Sequence, residues 1–181
     1  MHPVRPAGAF RLSDEILPCF LLTRQWRDNR NGLELVYWAT SPTGPVRVII
    51  TGEKAVCFLS RSYVTEPQEL HAIKANRREL SLTTLDGDEP VDGLYFEQQR
   101  DLVSARHRLR GAGGRLYESD LKPSDRYLME RFITAGFQIK GSPVARAGYV
   151  EYRNPALRTD DFRPSLSAVS LDIETQGLDG A

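Results

Sequence analysis

The chain has 181 residues, 40% of them apolar, and carries 24 Lys and Arg against 24 Asp and Glu. That length and apolar content suit one domain or two small ones with a buried core, and a net charge of zero offers no global argument for a nucleic-acid partner, although a local basic patch still could. The longest apolar run, "ILPCFLL" at 16–22, is far short of the ~20 residues a membrane span needs, and it lacks the basic flank and small-residue cleavage site of a signal peptide.

Residues 1–15, rich in Pro, Ala and Gly, read as a flexible leader. From 16 to 61 the text reads as a four-strand antiparallel β-meander. "ILPCFLLTRQW" is followed by the turn "RDNRNG", whose Asn-Gly tolerates positive φ. "LELVYWAT" alternates through Leu33, Leu35 and Tyr37, "SPTG" turns, "PVRVIIT" alternates through Val46, Val48 and Ile50, and "KAVCFLS" makes the fourth strand. Cys19 and Cys57 are far apart with no metal-ligand spacing, so they read as reduced core residues.

Next, "TEPQELHAIKANRREL" opens with Thr65 as N-cap and Pro67 in the first turn, with Leu70, Ile73 and Arg77 at helical spacing. "LSLTTL" and "VDGLYFE" read as strands around the turn "DGDEP"; "RDLVSARHRLRGAGG" reads as a helix ended by glycines, and "RLYESDL" as a strand. The order over 54–121 is thus β-α-β-β-α-β, the ferredoxin-like order. A helix and a hairpin follow over 122–155. In the helix, "KPSDRYLMERFITAG", Ser124 is the cap, Leu128, Phe132 and Ala135 form a stripe, and Gly136 is the stop. "FQIKGSPVARAGYVEYRN" is the hairpin, "PALRTDDFRPSL" an irregular linker, and "SAVSLDIE" a buried strand.

That last strand carries Asp172 and Glu174. Residues i and i+2 of a strand share a face about 6.5–7 Å apart, a spacing that can grip divalent ions of a two-metal phosphoryl-transfer site, which lie about 3.5–4 Å from one another. Hard oxygen ligands suit Mg²⁺ or Mn²⁺. Asp-x-Glu alone is a weak signal, and the alternative is a solvated strand end. A complete site needs further acids, and after Glu174 the sequence offers only Asp179. The expectation is therefore a front piece of a longer protein, cut inside its next domain.

Two other clusters stand out. Arg100, Arg106, Arg108, Arg110 and Arg115, with His107, could track phosphates along one helix, the alternative being a solvated face. Arg126, Glu130 and Arg131 are spaced for an ion-pair ladder. Tyr95 and Phe96 are neighbours on one strand, so one ring belongs in the core and the other outside. His2, His71 and His107 show no metal or triad arrangement, and there is no Walker loop, nucleophile elbow or Cys-x-x-Cys.

"ESDLKPSDRYLMERFI", followed after about forty residues by "VSLDIET", resembles the amino-terminal region of family B DNA polymerases, in their bacterial polymerase II branch. "FLLTRQWRDNRNGLELVYWAT" and "VDGLYFEQQR" resemble the opening strands there, so the likeness covers most of 17–178. It implies an α+β fold: the meander and ferredoxin-like unit of an N-terminal domain over 16–155, then over 156–181 a linker and the first strand of an RNase H-like 3′–5′ exonuclease domain. It implies that Asp172 and Glu174 hold Mg²⁺ or Mn²⁺ in the parent protein, in an exonuclease site incomplete here, with no ion expected in this piece alone. It further implies a DNA-directed DNA polymerase working on template-primer and dNTPs in the cytoplasm of a bacterium, with a sliding clamp as a partner of carboxy-terminal regions. The domain would help form the template-strand channel, and the helix bearing Arg126, Glu130 and Arg131 would dock on the exonuclease domain, with Arg126 pairing across that junction. This piece alone is expected to be inactive. The rival readings are a stand-alone nucleic-acid-binding module of ferredoxin-like fold and a small metal-dependent nuclease.

Overall fold

The computed structural model describes residues 16–84, 89–167 and 169–172; the expected leader and Glu174 lie outside the described residues, as does most of the "DGDEP" turn. The architecture is mixed α+β and mostly strands, with a curled seven-stranded sheet and a second sheet of four strands.

The meander begins as the sequence indicates. β1 (Leu17–Asn29), β2 (Gly32–Ser41) and β3 (Gly44–Thr51) pair antiparallel in turn. Gly32 and Gly44 take φ of 111° and 123° at the two turns, where a side chain would be strained. The fourth expected strand does not continue the meander. β4 (Ala55–Ser60) crosses into the second sheet, and the edge of β3 is taken instead by β10 (Tyr149–Arg153), parallel, with Val150 opposite Val46. Alternation shows that a strand buries one face; it does not show which sheet provides the cover.

The large sheet runs β11-β8-β1-β2-β3-β10-β9, where β8 is Gly136–Lys140, β9 is Pro143–Arg146 and β11 is Ala156–Thr159. The expected hairpin over 137–154 is therefore confined to β9 and β10, and the "irregular linker" contributes β11, paired with β8. Two links force the sheet to curl. Gly141 and Ser142 alone join β8 to β9, and Asn154 and Pro155 alone join β10 to β11. In a flat sheet each link would bridge five strand spacings, about 24 Å, whereas two residues reach about 11 Å. The links meet at the seam, where a Cβ on Gly141 would lie 3.0 Å from the Cβ of Pro155. Cys19, Tyr37, Val46, Val48, Phe137, Ile139, Val150 and Tyr152 fill the interior.

The second sheet runs β5-β6-β4-β7, all antiparallel, with β5 Asn76–Thr83, β6 Pro90–Phe96 and a two-residue β7, Leu116–Tyr117. The expected strand over "RLYESDL" shrinks to β7. α2 (Gln99–Gly111) packs through Leu102, Ala105 and Leu109 onto the face bearing Cys57, Leu59, Leu94 and Phe96, and both sheets share one apolar core. Burial pushes both thiols up to about 12, so Cys19 and Cys57 are inert core residues.

The helices are shorter than the periodicity suggests. α1 is Pro67–Ala72, so Arg77 lies on β5, not on its stripe; Thr65 does not cap it, its hydroxyl instead accepting from Arg77 at 2.9 Å. α3 is Pro123–Met129, with Lys122 at the cap position and Ser124 buried inside the first turn. It closes at Phe132, whose φ is +55°, through Phe132 N to Met129 O and Ile133 N to Leu128 O, each 3.0 Å. The reversal buries Ile133 and leaves Phe132 83% exposed, so Phe132 is no part of a buried stripe, and Gly136 starts β8 rather than stopping a helix. A left-handed backbone costs an L-residue about 1–2 kcal/mol, partly offset by the entropy a glycine loses. Phe132→Gly should therefore raise the unfolding free energy by about 0.5–1 kcal/mol in urea titration; a decrease would show that the ring makes a stabilising contact.

Candidate functional site

Of the expected metal pair, Asp172 lies at the end of the described residues and Glu174 lies outside them. Residues 169–172 form no strand; they join neither sheet, and Val169, Leu171 and Asp172 are exposed. A strand without a ladder partner leaves its backbone groups to water. This corrects the reading of "SAVSLDIE" as a buried strand over its described residues. No group of three His, Cys, Asp or Glu among the described residues could hold a metal ion. Carboxylate chemistry suits Mg²⁺ or Mn²⁺, and of the expected pair Asp172 alone, among the described residues, offers one such ligand, with the rest of a coordination shell left to other donors.

The basic helix divides by its geometry. Arg106 donates to the Ser119 carbonyl at 3.2 Å and Arg110 to the Ser119 hydroxyl at 3.1 Å, stitching α2 to the chain after β7. Arg115 pairs with Glu89 at 3.6 Å and lies over the Tyr117 ring. Arg100, His107 and Arg108 share the outward face. Three of the five arginines thus serve the fold, leaving a thin basic stripe.

α3 lies against the face of the second sheet opposite α2, and its charged residues face inward. Arg126 is 11% exposed, donates to Glu118 at 2.7 Å, lies 3.8 Å from Glu130 and covers the Phe58 ring at 5.3 Å. Arg131 covers Tyr127 at 3.5 Å and pairs with Glu53 at 3.6 Å. The expected Arg126–Glu130 rung is present. Tyr37, whose phenol burial keeps protonated, donates to the Ser124 carbonyl at 3.0 Å and fixes α3 to the curled sheet.

On the face that α3 partly covers, Phe58 stands opposite Gly93 and Tyr117, and Val56 opposite Tyr95. Phe96 is buried in the core and Tyr95 is half-buried on this outer side, as the alternation indicated. Tyr95 folds over Gly93, where an added Cβ would meet the ring at 2.7 Å, and Arg78 lies 4.8 Å from its centroid. Beside α3 remains a groove of about 690 Å³, lined among others by Phe58, Leu82, Tyr117, Leu121 and Met129. At Tyr117, hydroxyls of Ser60, then Ser62 and Tyr117, together with Arg115, hold the Glu89 carboxyl below its usual range. The groove was not apparent in the sequence because its walls come from β4, β5, β7 and α3. The aromatic alternation of "AVCFLS" and "VDGLYFE" was its one visible signal.

The comparisons with known proteins bear on most of the chain. The family model "DNA polymerase II, N-terminal" matches residues 19–54, the β1–β3 meander. DNA polymerase II of Escherichia coli (strain K12) is 37% identical over 158 residues, 86% of this chain. The chain is thus similar to the amino-terminal region of DNA polymerase II over most of its length. It spans 20% of that polymerase's length. The fold is also similar to that of the family B DNA polymerase of the hyperthermophilic archaeon Pyrobaculum calidifontis, with a TM-score of 0.63 at 14% identity over 82% of this chain and 21% of that one. No helix among the described residues is long and apolar enough to cross a membrane.

Proposed function

We propose that this chain is the amino-terminal part of a DNA-directed DNA polymerase with 3′–5′ proofreading, acting in the cytoplasm, and that it helps form the template-strand channel beside the exonuclease domain. The 37% identity to a DNA polymerase over 158 residues carries the reading. The spatial order β5-β6-β4-β7, with α1 and α2 as the two connections, supports a ferredoxin-like unit within it. Asp172 and Glu174 are assigned as two ligands of Mg²⁺ or Mn²⁺, the remaining donors coming from other parts of the parent. Bound ions there would supply Lewis-acid activation of water and leaving-group stabilisation. Contacts to dNTPs and to a sliding clamp belong to other parts of the parent, and the isolated chain is inactive.

The polypeptide encoded by the gene containing this sequence should extend a primed template with dNTPs and shorten an unpaired 3′ end when either cation is supplied. A gene product that does neither overturns the reading.

A further inference from the structure

The strand register brings seven side chains onto the outer face of the curled sheet, away from α2, α3 and the groove. Trp38 pairs with Arg47, Arg47 with Glu151, and Glu151 with Val144, so these four form one row across β2, β3, β10 and β9. Arg146 and Tyr149, paired with one another, and Arg153 lie two residues away along their strands and share that face.

Glu151 is 2% exposed and accepts from all three arginines: Arg146 at 3.1 Å, Arg153 at 3.0 Å and Arg47 at 3.4 Å. Burial opposes its ionisation, but Arg146 and Arg153 outweigh that and hold the carboxyl below its usual range. One carboxylate neutralises one guanidinium, so two positive charges remain in surplus. Arg47 sits over Trp38 at 5.7 Å, and its buried Nε meets no acceptor among the described residues. Trp38 and Tyr149 meet edge to face, with centroids 5.0 Å apart, and both residues are half-buried, each keeping part of its surface in solvent. Arg146 and Arg153 keep 44% and 57% of their side chains in solvent, so their outer N–H groups can still donate.

Surplus guanidinium charge beside accessible rings is the chemistry that takes a polyanion carrying flat bases. We propose that this face binds single-stranded nucleic acid, with Arg146 and Arg153 on backbone phosphates, bases stacked on Trp38 and Tyr149, and Glu151 as the buried anchor that aims the arginines. The inference deepens the polymerase reading by naming where the domain would hold the unpaired strand.

The test is fluorescence anisotropy of a labelled oligothymidylate of about a dozen nucleotides with the 181-residue chain, from ~50 to ~200 mM salt. Arg146→Glu combined with Arg153→Glu should weaken binding at least ~10-fold at the lower salt and reduce the salt slope by about 1.4, since each phosphate contact to a single strand contributes about 0.7. Trp38→Ala should weaken it ~5-fold or more while Trp38→Phe largely restores it. An abasic strand of equal length should bind more weakly than the oligothymidylate. If the double charge reversal loses its native circular dichroism, Arg146→Gln with Arg153→Gln, which keeps amide donors for Glu151, replaces it. No binding by the native chain, loss of binding on Arg100→Glu with Arg108→Glu instead, or displacement by oligoglutamate as effective as by free oligothymidylate each overturns the proposal. Templated extension by the parent polypeptide alongside any of these leaves the polymerase reading standing.

Discussion

Replacing Asp92 by alanine lowers the unfolding free energy by about 3–5 kcal/mol, the cost of removing one partner from a buried ion pair. Asp92 sits on β6 with 9% of its side chain exposed and takes Arg61 Nε at 2.8 Å on one oxygen and Arg77 Nε at 2.9 Å on the other. Both guanidiniums are committed further. Arg61 donates to the Leu80 carbonyl at 2.6 Å and to Glu79 at 2.8 Å; Arg77 donates to the Tyr63 carbonyl at 2.7 Å and to Arg61's own carbonyl at 3.3 Å. The carboxylate therefore holds the 61–65 crossover, β5 and β6 together, and its loss leaves two half-buried cations facing each other. Chemical denaturation at neutral pH checks this. Glu79→Ala, whose side chain is 78% exposed, serves as control and should change stability by no more than about 0.5 kcal/mol. A loss below about 1 kcal/mol for Asp92→Ala would mean that water replaces the carboxylate without penalty.

The second large effect tests the nuclease site proposed for the parent polypeptide. Asp172→Ala should reduce removal of an unpaired 3′ nucleotide by about 100-fold or more, because even outer-shell partners of a metal ligand are worth about 10–100-fold. Primer extension by the same variant should be unchanged, since the residue is assigned to the other reaction. Separate measurement of the two rates distinguishes a ligand from a structural residue, which would depress both. In this chain Asp172 is exposed and joins no strand, so its substitution should leave the melting temperature of the 181-residue chain unaltered. Nuclease activity persisting at the native rate would remove Asp172 from the site.

Phe132 shows how a correct local signal leads to the wrong element. "DRYLMERFITAG" has helical spacing throughout, and α3 nevertheless ends after Met129, because Ile133 rather than Phe132 enters the core once the backbone at Phe132 turns left-handed. Arg126 shows the same for charge. Its rung to Glu130 was readable from i, i+4 spacing, but its stronger partner Glu118 and the Phe58 ring beneath it come from β4 and the loop after β7. The Trp38, Arg47 and Glu151 row could not be read at all, since β3 and β10 are about a hundred residues apart and pair in parallel.

By itself the sequence determined what short-range physics governs. Alternation set β2 and β3, strand-forming composition between turns set β1, β4 and β6, Asn-Gly and Thr-Gly set the two turns of the meander, and Gly113 ended α2; the acid motif with the "RYLMERF" stretch carried the resemblance to family B polymerases. Only the tertiary structure decided that β4 leaves the meander, that β8 and β10 flank opposite sides of one curled sheet, and that Arg106 and Arg110 of α2 and Arg126 of α3 serve the fold. The reason is that period and turn chemistry act over a few residues. The choice of strand neighbour and of ion-pair partner is made by two short links and by buried groups that must find their hydrogen bonds wherever the closed chain brings them.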